Sequence, residues 1–139
     1  MACPPARGAQ GPTSAAQQQL APKWRARIRL RWSAARASYE RLFALGKDAR
    51  QPDDDLGYAF ALARLGDGSA DAAFQHAVTT ANGPVARCRY AQYLDESGRR
   101  REARELYDQV VKEGRLAPAH TRDLHKAWYR LAADALKAP

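Results

Sequence analysis

The chain has 139 residues, 45% of them hydrophobic and 27% charged, with a formal net charge of +8. That length suits one domain and that apolar content can fill a core, which excludes a wholly disordered chain. No run of about 18 apolar residues and no secretory-type apolar block occurs, so the expected class is a soluble, unexported, cytoplasmic protein.

The cysteines are Cys3, in the N-terminal tail, and Cys88, inside a helical pattern, and no disulfide framework or metal site can be drawn from them. Positive charge is concentrated in one segment. Residues 23–50 carry nine basic side chains against Glu40 and Asp48, whereas residues 51–139 carry thirteen of each sign.

Residues 1–22 hold four of the eight prolines and the run Gln17-Gln18-Gln19. This composition buries too little surface to offset the entropy of ordering, and a disordered tail is expected there. One helical domain is expected over 23–139.

The stretch WRARIRLRW, residues 24–32, places arginine at every second position. Read with period two, it makes a half-buried strand of Ala26, Ile28, Leu30 and Trp32. Read with helical steps, it joins Ala35, Tyr39 and Leu42 in one stripe, Trp24-Ile28-Trp32-Ala35-Tyr39-Leu42. The helical reading explains more residues and predicts a long basic helix from about 23 to 46, closed by Gly46, within a basic segment 23–50. Arg25, Arg27, Arg29, Arg31 and Arg36 form its candidate basic face for nucleic acid or an anionic surface. Its tryptophans make it a candidate homodimer contact, as is any uncovered end of the helical stack.

Residues 53–82 and 84–114 repeat each other. Tyr58, Ala59, Leu62 and Gly66 match Tyr90, Ala91, Leu94 and Gly98 at an offset of 32. After the glycine, Ala70, Phe74 and Ala77 match Ala103, Tyr107 and Val110 at 33. Apolar spacings of three and four broken once by glycine describe a helical hairpin. Ala35-Tyr39-Leu42 repeats the second-helix spacing 35 residues before Ala70. Beyond Pro118, Leu124, Trp128, Leu131 and Ala135 continue a stripe, predicting one closing helix over 118–137.

Asp53-Asp54-Asp55, just before a helix, reads as N-terminal capping rather than a cation site. Arg99-Arg100-Arg101 reads as a solvated turn, with a phosphate contact as the alternative. His76, His120 and His125 read as surface or structural side chains, the last two lying about 140° apart on a helix. Cys88, on an apolar face, reads as a small buried hydrophobe. No catalytic or nucleotide-binding motif occurs, and no enzyme, cofactor or metal is expected.

The layout resembles the tetratricopeptide repeat in Gly66, Ala70, Phe74, Ala77 and Pro84, and again in Gly98, Ala103, Tyr107 and Val110. It departs where the family's tryptophan falls on Asp55 and Arg87, and where its Leu-Gly pair becomes Tyr-Ala. The resemblance implies an all-α, right-handed solenoid of about two to three hairpins with a C-terminal capping helix. It also implies a non-enzymatic scaffold that holds a peptide of another protein in a concave groove. The groove-facing positions would be Phe60, Arg64, Arg89 and Gln92, with Arg122, Lys126 and Tyr129 from the closing helix. The lysine–asparagine clamp of some members is absent, those positions holding Leu56, Phe60, Cys88 and Gln92. Similar repeats in bacteria often follow a membrane segment or belong to longer arrays.

Overall fold

The computed structural model describes residues 23–81 and 83–138. The expected tail over 1–22, with Cys3, lies outside the described residues. Among the described residues the chain is all helical: α1 (Lys23–Ala44), a 3-10 turn (Lys47–Ala49), α2 (Pro52–Arg64), α3 (Ala70–Thr80), α4 (Pro84–Glu96), α5 (Arg100–Leu116), α6 (Ala119–Leu124) and α7 (Lys126–Lys137). No described helix is long and apolar enough to cross a membrane.

Helices α2 and α3 pair, and so do α4 and α5; α1 lies on α2, α3 on α4, and α7 on both α4 and α5. The two hairpins are built alike. Each opens with proline in the first turn, where the missing N–H costs nothing. Each turns at a left-handed glycine, Gly66 (φ 70) and Gly98 (φ 81). Beyond it, Asp67 N–H donates to the Leu62 carbonyl at 3.0 Å and Arg99 N–H to the Leu94 carbonyl at 2.8 Å. These are matching helix-closing bonds across the glycine.

One core cluster joins Ala59, Phe74, Cys88, Tyr90, Ala91, Leu94, Ala103, Tyr107, Val110 and Ala132, and Leu62, Ala70 and Ala77 are buried as well. Ala59, Ala91 and Ala132 are fully buried, their short side chains letting helices approach closely. The repeated tyrosines occupy corresponding surroundings. Tyr58 meets Tyr39 of α1 edge-on at 6.3 Å and donates to Glu40 at 3.3 Å. Tyr90 stacks on Phe74 of α3 at 5.6 Å and donates to Asp71 at 2.7 Å. In both cases the partners belong to the helix before the hairpin.

Three boundaries differ from expectation. The basic segment is helical only to Ala44, and Gly46 adopts φ 107, ψ 174 before the 3-10 turn instead of closing the helix in the αL region. The stripe of α1 docks only from Trp32 onward, while Trp24 and Ile28 stay exposed. Length explains this: α1 has 22 residues and α2 has 13, about 33 Å against about 20 Å, so α1 runs past the end of its partner. The closing helix is broken at His125 (φ −108, ψ 17), leaving Leu124 76% exposed. The apolar face of α7 is Trp128, Tyr129, Leu131, Ala132, Ala135 and Leu136.

Candidate interaction groove

A surface depression of about 490 Å³ lies over the C-terminal halves of α2 and α4. Phe60, Ala63 and Arg64 come from α2, and Arg89, Gln92, Tyr93, Asp95 and Glu96 from α4; Phe74, Ser97 and Tyr107 complete it. Four sequence-expected residues, Phe60, Arg64, Arg89 and Gln92, are brought together here. The other three, Arg122, Lys126 and Tyr129, line a different depression of about 330 Å³ with Val111, Gly114 and Arg115. The break at His125 and the seating of Tyr129 on α5 set this division. Trp128, one residue earlier, faces the side chain of Arg89, a residue of the main groove.

Both groove cations are held over aromatic rings. The Arg64 guanidinium lies 4.8 Å from the Phe60 ring centre and that of Arg89 lies 5.0 Å from that of Trp128. Arg89 also donates to Gln92 Oε1 at 3.3 Å. Such stacking desolvates one face of each cation and leaves its N–H edge for an acceptor. Neither arginine has an ion-pair partner among the described residues. The acidic side is Asp95, 3.5 Å from Arg100, and Glu96. Burial, with the charge of Asp95 next in size, pushes the Tyr107 hydroxyl up to about 12.

Sequence reasoning missed Tyr93 and Glu96. Arg89, Gln92, Tyr93 and Glu96 fall at i, i+3, i+4 and i+7, one face of α4, so that spacing carried the signal. Trp128 was assigned to an apolar stripe, and it does pack against the core; its second face carries Arg89.

Of the basic-face residues, Arg25, Arg27, Arg29 and Arg31 are exposed and make no ion pair among the described residues. Arg36 differs, lying 3.4 Å from Asp67 and 3.8 Å from Glu40. A further depression of about 420 Å³ runs along the overhang of α1, lined by Trp24, Arg25, Ala26, Ile28, Arg29, Trp32 and Arg64.

The remaining polar clusters are tied into the fold. In the acidic triad, Asp54 accepts from the Gln51 N–H at 2.8 Å and caps α2. Asp55 does not cap. It is buried, accepting from Arg50 and from Thr80 Oγ1 at 3.2 Å, with His76 Nε2 at 3.5 Å. In the arginine run, Arg99 bridges Asp71 (2.9 Å) and Glu102 (2.6 Å), Arg100 faces Asp95, and Arg101 lies 3.7 Å from Glu105. Hydrogen bonding to Glu102 raises the Arg99 pKa and lowers that of Glu102. Burial pushes the Cys88 thiol up to about 11, and the thiol donates to the Trp128 carbonyl at 3.7 Å. A thiol so held is a packing group, since the thiolate is the reactive form.

Comparison with protein-family models, curated proteins and solved structures finds no match.

Proposed function

We propose that the chain is a non-enzymatic protein-binding scaffold of the cytoplasm, its helices stacked in a right-handed, tetratricopeptide-like solenoid. Its groove holds an acidic or amphipathic peptide. The matched glycine turns, the paired tyrosine environments and the final helix lying across α4 and α5 support the architecture.

The observation that carries the binding reading is the pair of ring-supported guanidinium groups, Arg64 on Phe60 and Arg89 on Trp128. Both border a concavity floored by aromatic side chains. Apolar floor and charged rim together fit a segment that presents apolar side chains inward and carboxylates outward.

Titration calorimetry with an acidic amphipathic peptide tests this reading. R64E/R89E is expected to weaken binding about tenfold or more. Affinity unchanged in that variant rejects the groove.

A further inference from the structure

The side chain of Arg64 lines two depressions, the main groove and the channel along α1. They adjoin at Arg64, where Trp32 of the channel meets Phe60 of the groove at 5.3 Å, and their charge is unequal. In the α1 channel the charged lining is all cationic: Arg25, Arg29 and Arg64. In the main groove Arg64 and Arg89 share the wall with Asp95 and Glu96. The channel floor is apolar, with Trp24 56% and Ile28 42% exposed.

On a helical projection, Arg25 and Arg29 flank the Trp24-Ile28-Trp32 stripe on one side, and Arg27 and Arg31 on the other. These ten residues, Lys23 to Trp32, hold five cations and no acid. Their charge is uncompensated among the described residues.

Building on the groove reading of the preceding subsection, we infer that the ligand is polar end to end. Its carboxylate-rich end lies in the corner between the overhang of α1 and Arg64, and its apolar part continues over Phe60 and Tyr93. The occupant is an acidic amphipathic segment of a partner protein.

Charge rules out a second copy, because two such faces repel. A bilayer is flat, and Arg64 at the end of α2 walls one side of the stripe. A phosphate chain continuing into the main groove would meet Asp95 and Glu96. One face of the Trp24 ring also carries Arg25 at 5.5 Å, which a stacking base would have to displace.

Trp24 and Trp32 line the channel and Trp128 lies beside Arg89 of the main groove, so ligand direction can be read by fluorescence. The probe is a peptide of about 15 residues, roughly 22 Å if helical, with glutamates in one half, leucines and alanines in the other, and a nitroxide quencher at either end. W128F reports from Trp24 and Trp32; W24F/W32F reports from Trp128. The label on the glutamate end is expected to quench in W128F and not in W24F/W32F, and the label on the apolar end the reverse. R25E/R29E is expected to weaken binding about tenfold, as does R64E/R89E.

Peptide that binds and responds to R64E/R89E but not to R25E/R29E, or quenching in the opposite sense, overturns this inference and leaves the groove reading standing. Binding sensitive to R25E/R29E alone overturns the groove reading. No binding at low salt overturns both. Displacement of the peptide by oligouridine or by phosphatidylglycerol vesicles, with the same R25E/R29E dependence, assigns the corner to nucleic acid or membrane and overturns the inference.

Discussion

The ring of Tyr129 lies against the bare Cα of Gly114, so closely that a Cβ on residue 114 would sit 2.9 Å from Tyr129 Cγ and Cδ1. Gly114 lies inside α5, where glycine costs about 1 kcal/mol relative to alanine. The close approach of α7 is what the glycine permits. G114A is therefore expected to destabilise by about 1–2 kcal/mol net, overpacking outweighing the gain in helix propensity. Thermal denaturation checks this against G68A, where nothing lies within 4 Å. Adding Y129L to G114A should recover part of the loss, a non-additivity that locates the strain between the two residues.

Asp55 and Arg87 occupy the positions where the resembled repeat has tryptophan, and each instead clasps the far end of its hairpin. Asp55 reaches Thr80 and His76 of α3, and Arg87 reaches Glu113 of α5 at 2.5 Å. The clasps differ in burial: the Asp55 side chain is 5% exposed, whereas those of Arg87 and Glu113 are 31% and 32%. D55A is expected to cost about 2 kcal/mol, because it strips acceptors from Arg50 and Thr80. R87A should cost under about 1 kcal/mol, as water screens that pair. Urea midpoints of the two variants give the comparison, and equal costs would reject the role of burial.

Burial raises the Cys88 thiol from 9.0 to about 11 and the Tyr107 hydroxyl from 10.0 to about 12. Both groups are thus held neutral by the fold. Their contribution to stability is full below the unfolded values and is lost as pH rises through the folded ones. The melting temperature is expected to be insensitive to these groups up to about pH 9 and to fall between about pH 9 and 12. C88A should remove the lower part of that fall. Alkylation of Cys88 at pH 8 should be slow in the native protein and fast in urea, which a mass-spectrometric time course reads directly.

The hairpins were legible in the sequence because local chemistry repeats. Gly66 and Gly98 mark turns that a side chain would strain, Pro52 and Pro84 mark helix starts, and the aromatic positions recur with the repeat. Groove residues on α2 and α4 were legible for the same reason, being at fixed steps from those markers. The break in the closing helix was not, because no glycine or proline stands at or near His125 to mark it. Asp55 was hidden too. Three adjacent aspartates look alike until α3 brings Thr80 and His76 up to one of them.

The exposed overhang of α1 bears on binding and its docked part on stability, and truncation separates the two. Residues 23–31 are all exposed, whereas Trp32, Tyr39, Leu42 and Phe43 are half-buried. Trp32 meets Phe60 edge-on at 5.3 Å, and Phe43 meets Tyr58 at 5.2 Å. Without these rings the aromatic face of α2 is open to water, as the first face of a stack is when its cap is lost. Removing residues 1–31 is expected to shift the melting temperature by no more than about 3 °C, the effect of about 1 kcal/mol in a chain this size. Removing residues 1–46 should lower it by roughly 10 °C or more and increase binding of a hydrophobic dye. W32A alone should cost about 1–2 kcal/mol, less than a fully buried aromatic because the ring is half exposed. A large loss already on removing residues 1–31 would mean that Trp24 and Ile28 are covered in the folded chain, and the cationic corner they floor would not exist.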